Sequence, residues 1–462
     1  MLPSQQRRVV SCLGCLYTIE TAVGGFINLP LRGNKISSSR ASLKMLSSER
    51  PPWLVSSLEG EDSGEKKKAP QSFQTRLFVH FDINETILLG DEAGGDSRHD
   101  SVQKMLAKSA FVQLQGDVDW DSTQKFMPTH WWDGQEMDNA KVVPSLYTGW
   151  KWPPDACPFY RTALKPKSQT FTQHYPVFQP ILEACEKALA RDDASSSCAT
   201  ETASVRDHIL PAFWTTLLHW MEESKTDASK MPTIIFRTFG SDLGQIARFV
   251  SEFAQGQHPH FPDVKCPSLV LPPTRLLQGR WKELKDTHGR TSLVYQLWSY
   301  PEESKLLASG DEEILELLAS GPSIFGIRDD YSTWKRHGYD PTAGKPVWVP
   351  SYETDIEHSA RYHHHILFDD NIHNLPHDGI ACVRKQRDKD REPFNSSVSA
   401  YDTVPGDVMH HEHQGIHLVR VPTIEPVLNQ KWFLQQIAAA QEAVQKRLWH
   451  HGNTHEQKRT LD

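Results

Sequence analysis

Short, almost unbroken apolar runs recur along the chain, and each is closed by a polar residue. Arg76-Leu77-Phe78-Val79-His80-Phe81 ends at Asp82, Thr233-Ile234-Ile235-Phe236-Arg237 ends at Thr238 and a turn at Gly240, and Ile366-Leu367-Phe368 ends at Asp369 and Asp370. Runs of this kind read as strands of a parallel sheet covered on both faces. Other stretches carry a helical period. Val205 to Met221 places Ile209, Phe213, Leu217 and Met221 at four-residue steps, and Leu243, Ile246, Ala247, Val250 and Phe253 form a stripe that Ser241 can cap. Val177 to Ala190, Asp311 to Ser320 and Gln430 to Trp449 are further expected helices. Val264 to Leu271, Ser323 to Ile327, Gly379 to Val383 and Gly415 to Val421 are expected strands, the first broken by Pro267. Helix, strand and helix in alternation predict an α/β protein with a parallel, Rossmann-like sheet.

The pattern fails in two long stretches. Residues 1–72 hold one run, Val9 to Ile19, too short to span a membrane. The first 48 residues carry one acid, Glu20, against six basic residues, a composition that fits a transit peptide, a signal peptide or a simple tail. These alternatives stay open, and with them localisation in the cytoplasm or an organelle lumen. Residues 56–71 are a charged linker that puts the domain boundary near residue 72. The core then comprises 73–90 and 205–450, interrupted by an insertion at 91–204, with a polar tail from 451. Gly90 to Asp100 reads as a loop. Beyond it the insertion is irregular, with Trp120, Trp131, Trp132, Trp150 and Trp152 among several prolines. Those tryptophans either line a pocket or anchor a loop-rich layer to the core.

Charge and cysteine usage narrow the function. The net charge of -8 has no basic stripe, which argues against nucleic-acid binding. Seven scattered cysteines give no disulfide framework. His363-His364-His365 and His410, His411 and His413 raise the question of a zinc site. Successive strand residues face opposite ways, so at most two of the first three can share an ion, and packing histidines are the simpler reading.

In chain order the strand exits offer Asp82, Thr238 and Asp369/Asp370, with Lys345 in a Gly344-Lys345-Pro346 turn between the last two. This order resembles the haloacid dehalogenase superfamily, whose motifs run nucleophilic Asp, Ser/Thr, Lys and an acidic pair. A second acidic pair, Asp329-Asp330, ranks lower because no lysine precedes it. The stretch between Lys345 and Asp369 has room for the one helix the family requires there.

The resemblance implies a Mg²⁺-dependent hydrolase acting on a phosphate monoester, carried by a small molecule or a phosphoprotein. It implies that Asp82 attacks phosphorus and that Thr238, Gly240 and Lys345 hold the phosphoryl group. Asp82, Asp369, Asp370 and the backbone carbonyl of Asn84 would bind the ion. It also implies that the insertion is a cap. One residue departs from the pattern: phosphatases of this family carry an acid two positions after the nucleophile, and here it is Asn84. An amide cannot give and recover a proton as a carboxylic acid does. Neighbouring Glu85 is either a substitute or a turn residue. A slow phosphatase and a catalytically weak binding or scaffold protein therefore both remain open.

Overall fold

The computed structural model describes residues 76–90, 96–116, 118, 122–190, 208–285, 291–320, 324–351, 363–375, 378–387 and 399–459. The leader, the polar end of the insertion and the helix expected between Lys345 and Asp369 lie outside them.

Thirteen strands are described: β1 (Arg76–Asp82), β2 (Phe111–Gln113), β3 (Ala156–Pro158), β4 (Thr233–Thr238), β5 (Leu276–Lys285), β6 (Thr291–Ser299), β7 (Leu306–Ser309), β8 (Ile324–Arg328), β9 (Lys345–Val349), β10 (His363–Asp369), β11 (Ala381–Gln386), β12 (Tyr401–Thr403) and β13 (Leu418–Arg420). Eight make one sheet in the order β13-β10-β1-β4-β8-β5-β6-β7. From β13 through β5 all neighbours are parallel, whereas β6 and β7 are antiparallel additions. β12, β11 and β9, in that order, form a second, smaller sheet. The chain is thus an α/β protein with a mostly parallel main sheet.

Alternation along the central strands assigns each face its cover. Val79 and Phe81 of β1, Ile234 and Phe236 of β4, and Ile366 and Phe368 of β10 point to one side. There they meet Phe213, Leu217 and Trp220 of the helix Pro211–Thr226, the stripe of the helix Leu243–Ala254, and Phe433 and Ile437 of a long C-terminal helix, Trp432–Arg459. Phe78, Ile235, Phe325 and Leu367 point to the other side. Their cover is not chiefly helical: Val347, Trp348 and Val383 of the smaller sheet, with Ile314 and Leu318 of the helix Asp311–Ser320, complete that layer.

Several expectations need correction. Val264 to Leu271 is no strand; Pro267 opens a 3-10 turn, Pro267–Leu269, because proline cannot donate to a sheet. The helix expected from Val205 begins at Pro211, whose fixed φ and missing N–H suit a first helical position. The segment 385–414, expected as a polar loop, contains β12 and the helix Gly406–His413. The C-terminal helix runs through the expected tail to Arg459. The long β5–β6 hairpin has no counterpart in the sequence reading.

The insertion holds the helix Arg98–Ser109, which the sequence reading missed. Ser97 and Asp100 cap it reciprocally, and Val102, Met105 and Leu106 are buried on one side. This helix and the expected Gln179–Leu189 helix enclose a cluster of their own. Trp131 is fully buried there against Phe159, Phe171, Tyr175 and Phe178, so it is a core residue of the insertion. No helix among the described residues is long and apolar enough to cross a membrane.

Histidines are built into the sheet and its edge. His364 and His365 of β10 are buried, and His364 bonds the Ile416 carbonyl at 2.8 Å. Burial holds the His364 imidazole down at about 4 and that of His413 at about 3. Both are therefore neutral when folded, and their stabilising contribution is whole above the unfolded pKa and is lost as pH falls below it. The carboxyls of buried Asp82 and half-buried Asp370 are shifted upward and titrate with the opposite sign. A variant comparison isolates one group. Relative to His413→Gln, the natural chain should lose about 2 kcal/mol of unfolding free energy between pH 7.5 and pH 5. Urea melts at both pH values check this, and a pH-independent difference would refute it.

Candidate active site

Parallel register brings the strand exits together. Phe81 pairs with Phe368, so Asp82 stands level with Asp369 on the neighbouring strand. On the other side Asp82 pairs with Arg237, one residue before Thr238. Four of the predicted residues thus leave three adjacent strands at one edge: Asp82 on β1, Thr238 on β4, Asp369 on β10 and Asp370 just beyond it. Carboxyl edges of parallel strands are where open α/β sheets bind ligands.

Lys345 reaches this edge from the second sheet. It is not in a turn but is the first residue of β9. Its buried Nζ donates to Asp82 Oδ1 at 2.5 Å and to Asp369 Oδ2 at 2.7 Å. The strand is set close against its neighbour: a Cβ on Gly344 would lie 2.5 Å from the Ile380 carbonyl oxygen, which accepts the Lys345 backbone N–H at 2.7 Å. Only glycine allows that approach.

The cluster is rich in negative charge. One oxygen each from Asp82, Asp369 and Asp370 can be chosen so that all lie within 4.8 Å of one another, and a single ammonium touches two of these groups. Burial raises the Asp82 carboxyl most, the Lys345 charge opposes this, and Asp369 adds to it, leaving Asp82 at about 7. Burial likewise drives Asp370 well up, reinforced by Glu85 and only partly offset by Lys108. Burial would push the Lys345 ammonium down, but Asp369, Asp82 and Asp329 outweigh it and hold the group above the ordinary lysine range. An all-oxygen set with excess negative charge fits a hard divalent cation such as Mg²⁺. Among the described residues this is the one cluster of three or more metal-ligating groups.

The two turns beyond the strands complete the edge. Thr238 Oγ1 accepts the Gly240 N–H at 2.8 Å. Asn84 donates from Nδ2 to Asp242 Oδ2 at 3.0 Å. Glu85 has φ 59° and turns its carboxylate to Lys108 of the insertion, so it is a turn residue paired elsewhere. Asp242 and Lys108 were not singled out in the sequence. Asp242 directly precedes a helix, where an acid reads as an ordinary cap.

Below the edge lies a buried strut. Arg237 forks onto Asp329, with Nε to Oδ2 at 2.9 Å and Nη2 to Oδ1 at 2.6 Å. Its Nη1 reaches the Pro346 carbonyl at 2.9 Å, which ties β4 to the strand carrying Lys345. Tyr295 donates to Asp329 at 2.5 Å. Asp330 caps the helix Tyr331–Arg336 through Thr333 N. The rival acidic pair is therefore engaged in holding the fold.

The insertion meets the loop after Asp370. Trp152 N donates to Asn374 Oδ1 at 2.7 Å, and Arg161 pairs with Asp378 at 2.6 Å while lying over the Trp152 ring. Arg420, at the end of β13, bonds the Gly149 carbonyl.

Removing one partner of a buried, bidentate ion pair strands the other charge. Arg237→Met should therefore cost about 3–5 kcal/mol of stability, read from urea unfolding. A loss below about 1 kcal/mol, the range of an exposed pair, would contradict the assignment of this strut.

Searches against protein-family models, curated proteins and solved structures return no match for this chain.

Proposed function

We propose that this protein is a Mg²⁺-dependent hydrolase of phosphate monoesters, of the haloacid dehalogenase type, with a Rossmann-like core and the insertion as its cap. The observation that carries the reading is Lys345 Nζ bridging Asp82 and Asp369 where their strands end, with Asp370 beside them. Phosphoryl transfer asks a protein chiefly for positioning and for neutralisation of spreading negative charge. A nucleophilic carboxylate adds the option of two easier steps through an aspartyl-phosphate.

Each residue then has a task. Asp82 attacks phosphorus as the carboxylate, a form that the contact with Lys345 favours against the opposing effect of burial. Lys345 also offers charge to the phosphoryl oxygens. The Thr238 hydroxyl and the backbone N–H groups of the turn after Asp82 hold those oxygens, as successive amides in a turn commonly do for anions. Asp369, Asp370, Asp82 and the Asn84 carbonyl would hold Mg²⁺, which when bound neutralises charge on the transferring group. The insertion's contacts at Asn374 and Asp378 support its reading as a cap that excludes water and selects the substrate, a small phosphorylated molecule or a phosphoprotein.

Asn84 favours one other reading, a protein that binds phosphate esters without turning them over. A generic aryl phosphate separates the two. The chain should hydrolyse para-nitrophenyl phosphate with Mg²⁺ and lose that activity with chelator, and Asp82→Asn should reduce it to the buffer rate. A natural chain that binds Mg²⁺ and remains inert would favour the binding protein.

A further inference from the structure

Asn84 leaves the phosphatase reading without a proton donor for the leaving group, and a different carboxyl group lies against it. Asp242 stands at the N-cap position of the helix Leu243–Ala254, yet its side chain makes no capping bond. Its Oδ2 accepts the Asn84 amide instead, at 3.0 Å. An N-terminal Asp normally turns inward to the free N–H groups of the first turn. Here the carboxylate is pulled across the Thr238–Gly240 turn.

The space over Gly240 marks where it has gone. A Cβ built on Gly240 would lie 2.5 Å from Asp242 Oδ2, 3.3 Å from Thr238 Oγ1 and 3.7 Å from Asn84 Nδ2. One small space is therefore framed by a carboxyl oxygen, the hydroxyl assigned to the phosphoryl group and the amide two residues after the nucleophile. Any side chain at Gly240 would fill it. The Asn84 Oδ1 atom is buried without a hydrogen-bond partner. Asp242 itself remains partly exposed.

We propose that Asp242 is the general acid and base of this site, taking over the task that Asn84 cannot perform, with Asn84 as its positioning residue. The proposal rests on the phosphate-ester reading above. In the first step an Asp82 oxygen bonds to phosphorus as the bond to the leaving oxygen breaks. Protonated Asp242 gives its proton to that oxygen, which departs as the alcohol. In the second step water attacks phosphorus, its proton passes to the Asp242 carboxylate, and the bond from Asp82 to phosphorus breaks. Inorganic phosphate leaves, and Asp82 and Asp242 return to their starting states.

Two substrates of different leaving-group quality test this in the full chain with Mg²⁺: ethyl phosphate, whose alkoxide needs a proton, and para-nitrophenyl phosphate, whose phenolate does not. Asp242→Asn should reduce turnover of ethyl phosphate by about 10²–10⁴-fold and that of the aryl ester far less, so the alkyl-to-aryl ratio falls. The exchange Asn84→Asp with Asp242→Asn keeps one amide facing one carboxyl and should recover much of the ratio. Thermal melts establish that each variant folds. An unchanged ratio in Asp242→Asn, or a natural chain active on the aryl ester alone, would overturn the role of Asp242 while leaving the phosphatase reading standing. A natural chain inert on both esters would overturn both.

Discussion

A buried ammonium between two buried carboxylates is the interaction on which the rest of this protein turns. Lys345 comes from the smaller sheet, and Asp82 and Asp369 from neighbouring strands of the larger one. Taking such groups out of water costs several kcal/mol each, and their attraction offsets this only if the geometry is held closely. Two sheets must therefore keep a fixed relation at this edge. Arg237 supplies part of that restraint, reaching from its clamp on Asp329 to the Pro346 carbonyl beside Lys345. Gly344 supplies another part by letting β9 approach Ile380 closely.

The same arrangement leaves an imbalance of charge. Lys345 satisfies one oxygen of Asp82 and one of Asp369, while Asp370 makes no ion pair among the described residues and accepts from the Asn371 side-chain amide. Lys108, whose charge acts on Asp370, is paired with Glu85. Three carboxyl groups facing one cation form a cradle whose electrostatics favour a divalent ion or a protonated carboxyl. Function, in this account, follows from how the fold gathers acids at a parallel-strand edge and then limits their neutralisation.

Much of this was legible in the sequence because the strands bearing the acids are covered on both faces. Full cover makes β1, β4 and β10 nearly continuous apolar runs, so their exits could be read directly. Lys345 was legible as a residue but not in its place: β9 is short, starts with a lysine and a proline, and belongs to another sheet. The β5–β6 hairpin was illegible because half of it faces solvent and carries Arg280, Lys282 and Glu283 among its apolar residues. The Arg98–Ser109 helix was hidden for a related reason, since its buried side includes Ser101, Gln103 and Ser109. Asp242 could not be told from a helix cap, because its distinguishing feature is a bond to a residue 158 positions away.

The central claim is that Asp82 becomes covalently phosphorylated at this edge. Trapping with borohydride addresses it most directly, because an acyl phosphate is reduced to the alcohol whereas a free carboxylate is not. The chain would be quenched during turnover of para-nitrophenyl phosphate with Mg²⁺, digested, and its peptides mapped by mass spectrometry. The account predicts homoserine at position 82, dependent on substrate and on Mg²⁺. Reduction at Asp369 or Asp370, or turnover with no reduced residue at position 82, would contradict it.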